Sequence, residues 1–141
     1  LCGIHFKNKK NKNMLWMVNV GDSRAVLCKK DNSVLQLTED HKPNDINEKK
    51  RINKLGGKIY YDGYDWRIGS LSLSRAVGDN DEKPFVSHLP QIYRYKINKN
   101  DKFIIFACDG LWDVISNKKA VDFVLRKLKN NYKGNIARKL S

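Results

Sequence analysis

The sequence predicts an α+β domain in which antiparallel strands precede most of the helices. Apolar runs at residues 2–6 and 14–20, and again at 24–28 and 33–37, are separated by short polar stretches, as in β-hairpins. Near the end of the chain the apolar residues recur every three or four positions, which is typical of amphipathic helices. The length of 141 residues is that of about one domain.

Two hairpins are predicted at the start of the chain. Residues 7–13, between the first two apolar runs, consist only of Lys and Asn, so we expect a solvated loop there. Gly21-Asp22-Ser23 interrupts the chain before the second hairpin, whose turn falls at residues 29–32. The pattern so far is that of an antiparallel meander.

A helix is predicted after the hairpins. Asp45 and Glu48 have the spacing of a capping box, and Ile52 and Leu55 supply apolar positions for one face. Gly56-Gly57 is expected to end this helix. Short strands are then predicted at residues 58–61, 67–73 and 92–97.

Residues 103–108 are continuously apolar, which predicts a core strand buried on both faces. A helix over residues 117–129 follows, and a further helix starts near Asn135. The apolar positions of the first of these helices fall on one face: Val121, Val124, Leu125 and Leu128.

The chain is strongly basic, with 28 Lys and Arg against 15 Asp and Glu and a net charge of +13. Such a charge suits nucleic acid, an anionic membrane or a phosphorylated substrate. No recognition helix or aromatic strand face accompanies the charge, so we expect no nucleic-acid partner, and salt-dependent binding to nucleic acid would reverse that expectation. No apolar run approaches the ~20 residues of a membrane span, and none is expected.

The three cysteines, Cys2, Cys28 and Cys108, form neither a disulfide framework nor a zinc-binding pattern. An odd number of cysteines at such spacings favours a reducing compartment, so we expect an intracellular protein, cytoplasmic or nuclear. Each cysteine is interpreted as a small strand or core residue rather than a nucleophile.

Acidic residues mark a candidate metal site. Asp109 ends the apolar strand, Asp113 follows it by one turn, and Asp22 lies at the break after the second strand. Carboxylates that converge repel one another unless a cation is present, and ligands that are all oxygen favour Mg²⁺ or Mn²⁺ over Zn²⁺. Taken singly, each Asp is equally consistent with an ordinary turn.

Several segments, in this order, resemble the metal-dependent protein serine/threonine phosphatases of type 2C. The segments are Gly21-Asp22-Ser23-Arg24 within residues 18–27, Leu37-Thr38-Glu39-Asp40-His41-Lys42-Pro43, Glu48-x-x-Arg51-Ile52 with Gly56-Gly57, residues 71–79 around Ser74-Arg75-Ala76-Val77-Gly78-Asp79, and residues 103–113. The resemblance implies a four-layer α/β/β/α sandwich, in which two antiparallel sheets pack face to face and helices cover them.

The resemblance also implies an activity and a set of ligands. It implies hydrolysis of phosphoserine and phosphothreonine in proteins by a water molecule activated by two or three Mg²⁺ or Mn²⁺ ions. Asp109 is implied as a ligand of the catalytic pair of ions, and Asp22 and Asp113 are implied to join it around a weaker third ion. Arg75 is open to two interpretations, a support for the flap beside the active site or a structural ion-pair partner.

The sequence departs from the family at both ends. Residues 1–141 are interpreted as a partial type 2C phosphatase domain, without the N-terminal Asp-Gly-His-Gly-Gly segment and the C-terminal Asp-Asn segment. None of His5, His41 and His88 occupies the position of the family's histidine, and all three are expected in turns or at the surface. A catalytically inactive phosphatase-like binding or regulatory module is therefore kept as the alternative.

Aromatic residues complete the prediction. Trp112 is expected to anchor the turn that carries Asp109 in the core. Tyr60, Tyr61, Tyr64 and Trp66 form an aromatic flap, interpreted either as packing on its own sheet or as a contact for substrate or a regulator.

Overall fold

Two three-stranded antiparallel sheets, a two-stranded sheet of β5 and β6, and four α-helices make up the fold in the computed structural model, which describes residues 1–7, 9 and 12–140. The elements follow in the order β1 (Cys2–Lys7), β2 (Asn13–Asn19), β3 (Arg24–Lys29), β4 (Val34–Gln36), α1 (Ile46–Lys54), β5 (Tyr60–Tyr61), β6 (Trp66–Arg67), a 3₁₀ turn (Asn80–Glu82), β7 (Gln91–Lys96), β8 (Asp101–Ala107), α2 (Asp109–Trp112), α3 (Asn117–Lys129) and α4 (Ile136–Leu140). The predicted polar loop at residues 7–13 falls partly on residues 8, 10 and 11, which lie outside the described residues.

The two predicted hairpins belong to different sheets. The first sheet has the order β1-β2-β7 and the second has the order β4-β3-β8, with antiparallel pairing throughout. The chain crosses from one sheet to the other at Gly21, whose φ of +114° is a conformation that glycine adopts readily. The expectation of one meander is therefore wrong, since this break separates two sheets rather than two strands of one sheet.

The sheets pack face to face. Leu15 and Met17 of β2 are buried against Ala25 of β3, and partly buried side chains from β7 and β8 surround them. At one edge of this interface β1 lies close to β8. A Cβ on Gly3 would lie 2.9 Å from the ring of Phe106, and this close approach is possible because residue 3 has no side chain.

Helices α2, α3 and α4 cover the other face of the second sheet. Val26 and Ile105 are buried against Trp112, Val121 and Val124, in the largest of the buried clusters. The structure thus confirms the predicted α+β class, with two antiparallel sheets packed together and helices on the outside. No helix among residues 1–7, 9 and 12–140 covers the outer face of the first sheet, where Ile4 is 64% exposed and Ile92 is 58% exposed.

Helix α1 begins and ends where the sequence predicts. The side chain of Asp45 accepts hydrogen bonds from the backbone N–H groups of Asn47 and Glu48. At the other end, Gly56 has a φ of +83°, and Gly56 and Gly57 donate to the carbonyls of Asn53 and Ile52, as in a Schellman motif. The second half of the predicted capping box is wrong, since the Glu48 side chain binds arginines instead of the N-cap backbone.

Two strand predictions are also corrected. The predicted strand at residues 67–73 shortens to β6, because Ile68 and Leu71 exchange backbone hydrogen bonds of 2.9 and 3.0 Å across a turn at Gly69. The predicted burial of residues 103–108 on both faces is wrong for Phe106 and Cys108. Phe106 is 43% exposed because β8 lies at the edge of its sheet, and Cys108, just beyond the end of β8, is also exposed. None of the described helices is long and apolar enough to cross a membrane.

Candidate metal and phosphate site

Strand register brings two of the predicted carboxylates to one edge of the second sheet. Arg24 pairs with Ala107 across β3 and β8, which run antiparallel. Asp22 lies two residues before Arg24, and Asp109 lies two residues after Ala107. Both residues therefore lie just beyond the same end of the paired strands. Asp113 ends the short helix α2 that starts at Asp109. We call Asp22, Asp109 and Asp113 the acidic edge.

Trp112 anchors the turn that carries Asp109, as the sequence predicts. Its ring is buried, with 7% exposed, and its indole N–H donates a 2.9 Å hydrogen bond to the carbonyl of Ala107. The guanidinium of Arg24 lies 5.3 Å from the ring centroid. Asp109 itself is exposed, and its Oδ1 accepts a 2.8 Å hydrogen bond from the backbone N–H of Gly110. A fixed turn therefore presents Asp109 to solvent.

Arg24 also ties the acidic edge to the neighbouring loop. Its guanidinium donates two hydrogen bonds to the carboxylate of Asp40, at 2.9 and 2.5 Å, and one of 2.6 Å to Asn117. The hydrogen bond to Asp40 raises the pKa of Arg24, although burial opposes this shift. Through Arg24, the loop at residues 38–43 is connected both to β3 and to the start of α3.

Lys42 is the cation of the acidic edge, and the sequence analysis missed it. Its Nζ lies 2.9 Å from Oδ2 of Asp22 and 3.5 Å from Oδ2 of Asp65. Burial by itself would lower the pKa of Lys42, but the hydrogen bond to Asp22 and the charges of Asp22, Asp65 and Asp113 outweigh it and raise that pKa. The residue that could have predicted this ion pair is the Lys in Leu37-Thr38-Glu39-Asp40-His41-Lys42-Pro43, a segment from which only the family resemblance was inferred.

The acidic edge matches part of a metal site and does not complete one. Its carboxylate oxygens are the donors that Mg²⁺ and Mn²⁺ prefer. Within the described ranges, however, no three side chains of His, Cys, Asp or Glu are placed to share an ion. The carboxylate of Asp22 is partnered by Lys42, while Asp109 is exposed. The donor chemistry thus fits, and further ligands are needed.

Arg75 lies in a separate group that we call the buried ion cluster, formed by Glu48, Arg51 and Arg75. Nη2 of Arg75 lies 2.5 Å from Oε1 of Glu48, and Nη2 of Arg51 lies 2.9 Å from Oε2. Arg75 also donates to the carbonyl of Leu89 at 3.0 Å. Burial alone would raise the pKa of Glu48, but hydrogen bonds from Arg75 and Arg51 lower it to about 2. The guanidinium of Arg75 is therefore paired within the chain.

The position of His41 corrects a prediction. It is 2% exposed, rather than in a turn or at the surface, whereas His5 and His88 are exposed as expected. Its Nδ1 accepts a 3.0 Å hydrogen bond from the backbone N–H of Gly21, so Nε2 carries the proton and donates to Oε1 of Gln91 at 3.0 Å. Burial lowers the pKa of His41 and outweighs the hydrogen bond to Gln91.

The aromatic flap at residues 60–67 is largely exposed. Tyr64 is 93% exposed and Tyr61 is 55% exposed, while the rings of Tyr61 and Trp66 lie 5.5 Å apart. Lys49 of α1 lies 5.7 Å from the centroid of Trp66, which is only partly buried. The ring of Trp66 is thus covered in part by Tyr61 and Lys49, whereas the rings of Tyr61 and Tyr64 are largely exposed to solvent.

Comparisons with known proteins identify the family of this chain. Residues 4–141 match the family Protein phosphatase 2C. The chain is 42% identical over 131 residues to the PP2C-like domain-containing protein R307 of Acanthamoeba polyphaga mimivirus, covering 89% of this chain and 73% of that protein. It is 41% identical over 122 residues to Protein phosphatase 2C homolog 1 of Schizosaccharomyces pombe, covering 86% of this chain and 34% of that protein.

A solved structure shows the same fold. The crystal structure of a phosphatase from Toxoplasma gondii superimposes with a TM-score of 0.77 at 30% identity, over 92% of this chain and 42% of that one. The chain thus spans less than half of the length of that phosphatase and about a third of the yeast relative. The match extends over nearly every described element, and the chain belongs to the protein phosphatase 2C family.

Proposed function

We propose that this chain provides part of the active site of a protein phosphatase that hydrolyses phosphoserine and phosphothreonine, with Mg²⁺ or Mn²⁺ as cofactor. One observation carries the proposal: the β3–β8 register of a phosphatase 2C fold brings Asp22 and Asp109 to one edge. Carboxylates at such an edge suit hard divalent ions.

The residues of the acidic edge have separate roles in this proposal. Asp109 is a ligand of the catalytic pair of ions, and Asp22 and Asp113 join it around a weaker third ion. When bound, the ions supply a water molecule that is nucleophilic near neutral pH and positive charge against the phosphate. The buried ring of Trp112 holds the turn of Asp109 in place. Arg75 is a positioning residue, since its contact with Glu48 connects residues 74–76 to α1.

Phosphorylated proteins are the proposed substrates. The net charge of +13 favours the approach of phosphate groups, and we propose no nucleic-acid partner. We also propose an intracellular location, cytoplasmic or nuclear, because three unpaired cysteines are typical of a reducing compartment.

The test uses the full-length protein that contains these residues. With Mn²⁺ and a phosphothreonine peptide we expect hydrolysis that a chelator abolishes and added Mn²⁺ restores. The isolated 141 residues are expected to have little or no activity, because the acidic edge does not complete a site for two ions. Turnover that persists in chelator would contradict the proposal.

A second candidate is a phosphatase-like binding or regulatory module without turnover. The pairing of Asp22 with Lys42 favours it, because this carboxylate is already neutralised within the chain. The two candidates separate in the same assay. A full-length protein that is folded, contains the acidic edge and hydrolyses no phosphopeptide at any Mn²⁺ concentration is the module.

A further inference from the structure

Lys42 occupies a position that a metal ion would need. Its ammonium lies 2.9 Å from Oδ2 of Asp22, and both side chains are largely shielded, with 23% of Lys42 and 12% of Asp22 exposed. Within the described residues, Asp22 is the only member of the acidic edge in an ion pair. The single internal cation of this edge is thus directed at one carboxylate.

A second carboxylate is available to Lys42 nearby. Oδ2 of Asp65 lies 3.5 Å from Nζ, and the Asp65 side chain is 38% exposed. Oδ1 of Asp65 accepts from the backbone N–H of Trp66 at 2.8 Å, and the N–H of Asp65 donates to Asp62 at 2.8 Å. The flap turn therefore holds Asp65 in place with Oδ2 directed at Lys42. A small side-chain movement would transfer the ammonium from Asp22 to Asp65.

We propose that Lys42 is the resident counter-ion of Asp22, and that a divalent ion binds Asp22 only after the Lys42 ammonium has left this carboxylate. The inference rests on the proposed metal-dependent function. An ammonium and a divalent cation on one partly shielded carboxylate repel each other strongly at such short range. Lys42 therefore weakens binding of the third ion, which needs Asp22, and leaves binding of the catalytic pair at Asp109 largely unchanged.

The same geometry connects metal occupancy to the flap. When Lys42 leaves Asp22, its remaining acidic contact is Asp65, which lies in the turn of the aromatic flap. The Lys42–Asp65 contact shortens in this state, and the turn at residues 62–65 is held more firmly against the loop at residues 38–43. Metal binding and flap position are in this way linked through one side chain.

The test measures Mn²⁺ binding by titration calorimetry in the full-length protein and in its Lys42→Met variant, which removes the charge and shortens the side chain by only one atom. We expect Lys42→Met to bind Mn²⁺ about fivefold to tenfold more tightly. Lys42→Arg, which keeps the charge, is the matched control and should stay within about twofold of the unmodified chain. The gain should disappear when Asp22→Asn is added to Lys42→Met, because the competing carboxylate is then absent.

Equal Mn²⁺ affinity in the full-length protein and in its Lys42→Met variant, including no detectable binding by either, overturns the proposal. A gain that survives Asp22→Asn also overturns it. Because phosphatase turnover enters neither measurement, lack of turnover contradicts the proposed function alone.

A second measurement needs no variant. The NMR signal of the Lys42 side-chain ammonium should shift when Mg²⁺ is added and should not shift with NaCl of equal ionic strength. If the backbone signals of Asp22 respond to Mg²⁺ and the Lys42 ammonium signal does not, the two cations bind independently and the proposal is wrong.

Discussion

The buried ion cluster and the acidic edge differ in how their charges are neutralised. In the cluster, the Glu48 side chain is 4% exposed and both of its oxygens are bound by arginines. At the acidic edge, Asp109 and Asp113 are exposed, and Lys42 is bound to Asp22. The one carboxylate of the cluster is therefore fully paired by cations of this chain. The edge has carboxylates in excess of its cations, which is the condition of a site that takes up positive charge from outside.

The comparison predicts stability effects of very different size for matched changes from carboxyl to amide. Glu48→Gln leaves two partly buried arginines without their carboxylate, so the free energy of unfolding should fall by about 3 kcal/mol. Asp109→Asn removes an exposed charge and should change it by less than about 0.5 kcal/mol. Urea unfolding of both variants measures the difference. Equal losses would mean that the cluster is not a structural unit.

Acid should reveal the same cluster without mutation. The pKa of Glu48 is about 2 in the folded chain against an ordinary value of 4.5. The unfolded chain therefore binds this proton first, and the stability that Glu48 supplies is complete above pH 4.5 and is lost as the pH falls toward 2. The full loss is about 3 kcal/mol. Unfolding curves across this range should fall more steeply for the unmodified chain than for Glu48→Gln.

Protonation of His41 should have a smaller effect on the free energy of unfolding, nearer to neutral pH. Its pKa is lowered by burial from the ordinary value of 6.5, so the unfolded chain takes up this proton at a higher pH than the folded chain. Stability supplied by neutral His41 is complete above pH 6.5 and decreases as the pH falls below it, by at most about 1.4 kcal/mol per pH unit. His41→Gln should flatten this part of the curve. An unchanged slope would contradict the buried, neutral state.

Loss of the Asp22 carboxylate should have a small effect on stability, far below that of Glu48→Gln. Its ion pair with Lys42 is partly exposed and single, so Asp22→Asn should destabilise the chain by less than about 1 kcal/mol. Thermal unfolding at low and high salt measures this contribution, which added NaCl should reduce. A loss as large as that of Glu48→Gln would place Asp22 with the structural carboxylates.

Local signals predicted most of the fold. Alternating and continuous apolar runs located the main strands, and Asp45 and Gly56-Gly57 defined both ends of α1, because caps act within a few residues. The strand at residues 67–73 failed because backbone bonds between Ile68 and Leu71 close a turn that hydrophobicity does not report. The exposure of Phe106 depends on which strand lies at the sheet edge, and this is a property of the whole topology.

The candidate site was predictable in its residues and not in its contacts. The motifs pointed to Asp22, Asp109 and Asp113, whose roles stay a prediction. The positions of Lys42 and His41 relative to Gly21 and Asp22 depend on how two loops meet across a sequence separation of 20 residues. The pairing of Glu48 with Arg75 spans 27 residues and replaced the expected capping contact, because two guanidinium groups bind a carboxylate more strongly than one backbone N–H.

The most direct test of the central claim is the turnover of Asp109→Ala in the full-length protein. With Mn²⁺ and a phosphothreonine peptide, we predict that hydrolysis falls to background while the circular dichroism spectrum and the unfolding midpoint stay unchanged. The matched control is Asp122→Ala, which removes an exposed carboxylate of α3 that pairs with Lys118, and it should hydrolyse the peptide at the unmodified rate. Turnover of Asp109→Ala at the unmodified rate would contradict the assignment of the acidic edge as the catalytic metal site.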